Sequence, residues 1–452
     1  MPLDLPRRPP GRPRVLVIAE AANPEWVSVP LVGWSLARAL REVAEVHLVT
    51  QVRNRDAIGR AGLREGEDFT ALDTEALAAP LWKLGERLRG GEGRGFTTLQ
   101  AVGALSYPLF EGMLWRRFRD RLRAGEWDLV HRVTPLSPTW PSPVARRLKR
   151  IGVPFLLGPL NGGIPWPEGF GAERRAEREW LSYVRGAARL LPGRGATFHD
   201  AAAILCGSLH TASEVPPRDH GRRVWLPENG IAPERFPPRE RAAGPLRAAF
   251  VGRLVPYKGP DMALDAAAPL LRDGRMTLDL VGDGPMMGSL RAQAEGLPGV
   301  TVHGWLSPEG VAGVLGEAHL LLFPSIREFG GGAVLEAMAA GAAPLVVGYG
   351  GPGELVREGL GWTVPLGSRG EIVAALRARL DALARDPEGV RATGARARAA
   401  AGRDHAWAAR AAQVREVYDW VLAGSPGPAP RPLPPPEEMP KEMPKEMPEE
   451  MP

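Results

Sequence analysis

The run Leu320-Leu321-Leu322-Phe323-Pro324-Ser325 is separated by two residues from Glu328-Phe329-Gly330-Gly331-Gly332-Ala333-Val334-Leu335-Glu336-Ala337-Met338-Ala339-Ala340-Gly341. The first run is short, apolar and closed by proline, which predicts a buried strand. The second holds two glutamates eight residues apart, with three glycines between them where a helix should begin. The order is therefore strand, charged loop, glycine-rich helix start, buried acid. Carboxylates accept hydrogen bonds from hydroxyls, and uncapped helix N-termini attract anions. Together they describe a pocket for a molecule rich in hydroxyls and carrying phosphate, as a nucleotide sugar does.

Outward from this stretch, apolar runs rich in Val, Ile and Leu alternate with helix-like segments. That alternation predicts parallel sheets covered by helices on both faces. The expected strands of the first half are 14–20, 45–50, 128–133, 154–160 and 202–207. Those of the second half are 247–252, 276–281, 300–304, 320–324 and 343–348. Between the two sets lies Pro227-Glu228-Asn229-Gly230-Ile231 and a proline- and arginine-rich stretch, which has the composition of a linker. The reading is two doubly wound α/β domains, 14–227 and 246–405, joined by a linker over 228–245. A helix follows over 406–422. The tail 424–452 carries Pro432-Leu433-Pro434-Pro435-Pro436 and Glu-Met-Pro-Lys repeats, a composition too poor in apolar surface to offset its ordering entropy. It is expected to be disordered.

Bulk composition sets limits. The 452 residues exceed what one ordinary core holds, and 44% hydrophobic with 24% charged residues is usual for a globular protein. One cysteine, Cys206, excludes an intrachain disulfide and points to a reducing compartment. Its apolar neighbours argue for an inert buried thiol rather than a nucleophile. No run reaches the roughly 20 apolar residues of a membrane helix. Met1 to Pro13 is basic and proline-rich, unlike a secretory signal, so a cytoplasmic location is expected. The net charge of +5 is concentrated in residues 1–240, with 35 Lys and Arg against 27 Asp and Glu. A basic first domain would suit an inner membrane face. Arginine prevails over lysine throughout, however, so the excess reads as compositional. No nucleic-acid reader motif is present, so no nucleic-acid partner is expected. Phe110, Leu114, Phe118 and Leu122 recur every four residues among Arg116, Arg117, Arg119, Arg121 and Arg123. The pattern fits a helix lying on an anionic surface, but better one whose apolar stripe faces the core.

Three further elements carry chemistry. Gly252-Arg253-Leu254-Val255-Pro256-Tyr257-Lys258-Gly259-Pro260 places two cations between the end of a strand and the start of a helix. Ligands of open α/β sheets bind at that edge, and two cations there can hold a diphosphate and stabilise it as it leaves. Val281-Gly282-Asp283-Gly284-Pro285 is a tight turn after a strand, equally consistent with structure and with nucleotide contact. It is not a dinucleotide fingerprint. In the first half, Asp128-Leu129-Val130-His131-Arg132-Val133 puts His131 near the C-terminal end of a strand.

These pieces, in this order, resemble retaining glycosyltransferases of family 4 over residues 14–421. The Glu-x7-Glu motif at Glu328 and Glu336 is the most specific element. Gly252-Arg253 with Lys258-Gly259, Val281 to Pro285, Glu228-Asn229-Gly230 and Gly350-Gly351-Pro352-Gly353-Glu354 also fit. The resemblance implies a GT-B architecture: two Rossmann-like doubly wound domains facing across a cleft, with the helix 406–422 crossing back to the first. It implies roles by position. Arg253 and Lys258 would bind the donor diphosphate. Glu328 would accept hydroxyls of the donor sugar beside the amides of Phe329, Gly330 and Gly331. Glu336 would hold the ribose, and His131 would approach the donor sugar. In the first loop, Trp26-Val27-Ser28-Val29-Pro30-Leu31-Val32-Gly33-Trp34 resembles Gly-Ser-Glu-Pro-Gly-Val-Gly-Trp but has Val27, Val29 and Leu31 where that pattern has glycine, glutamate and glycine. Gly33 is left as the residue whose amide would touch phosphate, with Gly162-Gly163 as a further contributor.

The implied activity is metal-independent sugar transfer from a UDP- or GDP-linked donor to a saccharide, lipid-linked or small-molecule acceptor, as in polysaccharide biosynthesis, with retention and without cofactor. Two other readings stand beside it. One is a nucleotide-sugar epimerase on the same fold. The other is a non-catalytic binding subunit, for which the departures at Val27, Val29 and Leu31 speak.

Overall fold

The computed structural model describes residues 11–75, 96–176, 192–242 and 244–436. The chain divides into two compact units. The first comprises 11–163, 192–233 and 400–434, and the second 164–176 and 234–399.

The first unit holds β1 (Arg14–Ala19), β2 (Glu45–Gln51), β3 (Phe69–Leu72), β4 (Leu129–Thr134), β5 (Phe155–Leu160), β6 (Ala203–Cys206) and β7 (Arg223–Trp225). They form one parallel sheet in the order β3-β2-β1-β4-β5-β6-β7. Its principal helices are α1 (Val29–Leu40), α2 (Phe96–Arg123) and α3 (Pro143–Arg150). Successive strand residues alternate between the two faces. Val15 and Val17 pack with Trp34, Leu36 and Leu40 of α1. Leu16 and Ile18 pack with Phe110, Leu114, Phe118 and Leu122 of α2. That four-residue stripe is at most 1% exposed, so it faces the core, and the arginines among it face solvent. Removing Phe118 would cost about 3–5 kcal/mol by the usual scale of buried aromatic truncation. Among the described residues no helix is long and apolar enough to cross a membrane.

The second unit holds β8 (Leu246–Val251), β9 (Met276–Val281), β10 (Val300–Gly304), β11 (Leu320–Phe323), β12 (Ala343–Val347) and β13 (Trp362–Val364), again all parallel, in the order β10-β9-β8-β11-β12-β13. The helices that matter for the site are α4 (Gly171–Ala176), α5 (Pro260–Arg272), α6 (Gly332–Ala340) and α7 (Gly350–Leu355). Both sheets reverse their strand order once, between β1 and β4 and between β8 and β11. Crevices for ligands open at such points, beyond the carboxyl ends of the strands.

The last long helix, α8 (Trp407–Leu422), belongs to the first unit. Val414, Val417, Tyr418 and Val421 join the α1 face of the core. Arg410 donates to the Asn229 carbonyl at 3.2 Å and Arg415 to the Val43 carbonyl at 2.9 Å.

Three expectations need correction. Ile164–Ala176 lies with the second unit, although it falls inside the block 14–227. The stretch 228–245 is no free linker. Glu228 is buried and accepts from Asn161 Nδ2 at 2.7 Å, and a Cβ on Gly230 would meet the Trp407 ring at 2.6 Å. Arg241 donates to the carbonyls of Ala318 and Ala340 at 2.6 and 2.7 Å. The start of the tail is also packed: Leu433 is buried, and the Trp420 indole donates to the Pro426 carbonyl at 3.2 Å. Residues 437–452 lie outside the described residues.

Candidate functional site

The site is built on the second unit's topological switch point. After β8 the chain turns through Gly252-Arg253-Leu254-Val255 and a short 3-10 turn, Pro256–Lys258. Gly259 adopts φ +67° and precedes Pro260, the first residue of α5. A Cβ at Gly259 would meet the Pro324 carbonyl oxygen at 2.8 Å, so glycine is needed for both conformation and contact. This loop is held from one side by the turn after β9. Leu254 N donates to the Asp283 carbonyl, and a Cβ on Gly282 would lie 1.9 Å from the Gly252 carbonyl oxygen. The Val281–Pro285 turn therefore braces the Arg253 loop by backbone packing.

From the other side come the residues after β11. Lys258 Nζ donates to Glu328 Oε2 at 2.5 Å, with side chains only 16% and 20% exposed. Burial pulls the Lys258 ammonium down, but the Glu328 carboxylate more than offsets this and its pKa is raised. Arg253 is exposed, and its charge acts on Lys258 in the opposite sense.

Helix α6 starts as the glycines demand. Gly331 is its N-cap at φ +62°, with no side chain capping it, and Gly341 ends it at φ +81°. Val334 and Leu335 both donate to the Gly331 carbonyl. The amides of Gly332 and Ala333, in the first turn, have no intrahelical acceptor. Phe329 is half-buried and Gly330 buried within the same loop. Glu336 sits one turn inside α6, half-buried, and makes no hydrogen bond or ion pair among the described residues. Burial raises its pKa, opposed by the charge of Arg235. Arg327, the cation nearest in sequence, is engaged elsewhere. It is 3% exposed, donates to the Ile164 carbonyl at 3.2 Å, and lies over the rings of Trp166 and Phe329 at 4.9 and 5.2 Å.

Arg253, Lys258, Glu328, Phe329, Gly330, Gly331 and Glu336 thus share the loops and helix start at one sheet edge. The two first-unit residues differ from expectation. His131 is the third of six residues in β4 and is fully buried. Its Nε2–H donates to the Gly158 carbonyl at 2.6 Å, leaving Nδ1 to accept from the Tyr418 hydroxyl at 2.6 Å. Burial lowers its pKa to about 4, so the ring is neutral and both nitrogens are used by the fold. Gly33 lies on the second turn of α1, where its amide is part of the helix. A Cβ there would meet the Ala21 carbonyl oxygen at 2.1 Å. Its glycine allows close packing of α1 on the β1 loop, and its amide is not available to phosphate. Gly162 and Gly163 have φ +130° and +80°, and Gly162 N donates to Asn161 Oδ1 at 2.7 Å.

Residues 245–382 match the family model for glycosyl transferases group 1. Among characterised relatives, a 2-deoxystreptamine glucosyltransferase of Streptomyces kanamyceticus is 28% identical over 345 residues, covering 70% of this chain and 80% of that protein. A D-inositol 3-phosphate glycosyltransferase of Arthrobacter sp. strain FB24 is 30% identical over 276 residues, covering 54% and 59%. The chain spans 48% of the length of another D-inositol 3-phosphate glycosyltransferase, from Nocardia farcinica. Among solved structures, sucrose-phosphate synthase from Thermosynechococcus elongatus aligns with TM-score 0.60 at 18% identity, covering 92% of this chain and all of that one. Anabaena HepE in complex with UDP and glucose aligns with TM-score 0.54 at 14% identity, covering 90% and 100%. These structural likenesses are of fold, and with two parallel-sheet units they fit the GT-B architecture.

The residues that the sequence alone left unremarked are Ile164, Pro165 and Trp166. The one local signal is an indole set between two prolines, Pro165 and Pro167, which marks an extended segment without saying what it touches.

Proposed function

We propose that the protein transfers a sugar from a nucleoside-diphosphate donor, UDP- or GDP-linked, to a saccharide, lipid-linked or small-molecule acceptor with retention of anomeric configuration. The observation that carries this reading is the Lys258–Glu328 pair, 2.5 Å long, on the loops that lead to an uncapped helix start, with Glu336 one turn inside that helix and without a hydrogen bond among the described residues.

Each part suits one portion of such a donor. Lys258 and Arg253 would hold the diphosphate, with the open amides of α6 alongside. Glu328 would accept sugar hydroxyls, and Glu336 would accept those of the ribose, which supply the donors its carboxylate lacks. In the reaction the bond from the anomeric carbon to the β-phosphate oxygen breaks. The acceptor oxygen then bonds to that carbon on the same face, and its proton passes to the departing phosphate. Lys258 and Arg253 would offset the charge that develops on the diphosphate, without a metal ion.

The test is nucleotide release from UDP- and GDP-sugars, with an acceptor panel that includes 2-deoxystreptamine and inositol 3-phosphate. Turnover that persists in EDTA and yields a product of unchanged anomeric configuration is expected. Sugar interconversion without transfer would overturn the reading in favour of an epimerase. Nucleotide binding without any transfer would overturn it in favour of a binding subunit.

A further inference from the structure

We infer that Trp166 is a positioning residue for the donor pocket, holding Lys258 and Glu328 in register by gripping the residue that precedes each of them. The inference rests on the reading that this pair holds the donor.

The chain passes from the first unit to the second at Gly163–Ile164. Ile164-Pro165-Trp166 then lies on three successive loops of the second sheet. On the β8 loop, the Trp166 ring meets Tyr257 edge-on, centroids 6.0 Å apart at 86°, and Tyr257 is the neighbour of Lys258. On the β11 loop, the Arg327 guanidinium lies 4.9 Å over the Trp166 ring while its Nε donates to the Ile164 carbonyl at 3.2 Å, and Arg327 is the neighbour of Glu328. On the β12 loop, the Tyr349 hydroxyl donates to the Pro165 carbonyl at 3.0 Å. Tyr349 precedes Gly350, whose missing side chain leaves room for Ile164 Cδ1, 3.0 Å from where a Cβ would stand.

The three loops are also tied to one another beneath the segment. Ile326 N and Ser325 Oγ both donate to the Tyr257 carbonyl, at 2.9 and 3.2 Å, and Gly351 N donates to the Glu328 carbonyl at 3.1 Å. Helix α4, which continues the segment, packs against the Pro256–Lys258 turn. One indole thus contacts both residues that flank the pair, and does so while itself only half-buried. A side chain serving the core alone would be fully enclosed. Arg327 is the opposite case: a nearly buried cation between two aromatic faces, whose place is set by those faces.

The experiment compares the full chain with Trp166→Leu and Trp166→Phe. Leucine removes the aromatic face, and phenylalanine keeps it. With the wild-type melting temperature retained in both variants, Trp166→Leu should raise the donor KM by on the order of tenfold to a hundredfold, with acceptor KM unchanged and Trp166→Phe within about threefold of wild type. A second readout needs no donor: acetylation of the Lys258 amine by acetic anhydride, followed by peptide mass spectrometry. Labelling should rise several-fold in Trp166→Leu and stay at the wild-type level in Trp166→Phe. Unchanged labelling in Trp166→Leu, or an equal rise in both variants, overturns the inference. Increased labelling in Trp166→Leu alone, in a protein that binds no UDP- or GDP-sugar, upholds the positioning role and overturns the donor reading instead.

Discussion

Lys258 Nζ and Glu328 Oε2 lie 2.5 Å apart although 70 residues separate them, and the pair joins the loop after β8 to the loop after β11. A lysine and a glutamate with side chains at most 20% exposed lose much of their hydration, and each is the other's compensation. The pair is therefore a ready-made cation and acceptor in a place where a diphosphate and a hydroxyl could replace the mutual contact. Lys258→Ala and Glu328→Ala should each lower kcat/KM with a nucleotide sugar by about 10²–10³. Glu328→Gln should fall less, because its amide still meets hydroxyls. Normal nucleotide release in Lys258→Ala would remove the pair from the site.

Glu336 should trade stability for affinity. Its pKa is raised by burial, with Arg235 opposing. A carboxyl with a raised folded-state pKa binds protons more tightly when folded, so its contribution favours folding at low pH and declines as pH rises through that pKa. At neutral pH Glu336 carries a half-buried charge that meets no hydrogen-bond donor among the described residues. Glu336→Gln should thus raise the melting temperature at pH 7 while weakening nucleotide binding about tenfold, as expected for loss of a charge-assisted hydrogen bond. Wild-type nucleotide affinity should also decrease as pH falls through the raised pKa, and the glutamine variant should lack that decrease. Thermal shift and calorimetric titration across pH 4.5–8 read both effects.

Much of the second unit was legible because its signals are local. Met276–Val281 and Val300–Gly304 begin and end where their apolar runs do, and Gly259, Gly331 and Gly341 take the left-handed conformations that end one element or begin the next. The short edge strands β3, β7 and β13 escaped, since three or four residues give no period to read. The Trp166 segment escaped for a different reason. Its contacts to Tyr257, Arg327 and Tyr349 span 91 to 184 positions, and no local pattern encodes a partner that far away. The histidine shows the same limit from the other direction. His131 stands in an apolar strand, a pattern compatible with a substrate contact. Its actual partner, Tyr418, comes from α8, 287 residues on.

His131 should govern part of the acid sensitivity of the first unit. Burial lowers its pKa from the usual 6.5 to about 4. The unfolded chain therefore binds a proton that the native state refuses. This group's contribution is fully present above pH 6.5 and is lost as pH falls toward 4, a change of about 3 kcal/mol. Urea unfolding followed from pH 7 to pH 4 should show that decline, and His131→Gln, which cannot take up the proton, should flatten the profile while lowering stability at pH 7. An identical pH profile in the variant would show that other groups set the acid limit.

The last prediction concerns the first-unit loop whose sequence departs from the resembled pattern. Ser28, the N-cap of α1, stands at φ 64° and ψ −137°, a conformation that glycine adopts and that strains any residue with a Cβ. Its side chain makes no capping hydrogen bond in return, and Trp26 and Val27 just before it are 45% and 78% exposed. Two apolar side chains in solvent and a strained serine are costs that folding alone does not explain. Strain held at such a position is expected where the loop serves binding rather than stability. Ser28→Gly should relieve it and raise stability by about 1 kcal/mol, read as a higher urea midpoint with unchanged slope. If the loop serves the acceptor, the same variant should raise acceptor KM and leave donor KM unchanged, because glycine loosens the backbone that the strain had fixed. A variant that gains stability and keeps both KM values would assign the strain to the fold and release this loop from the reaction.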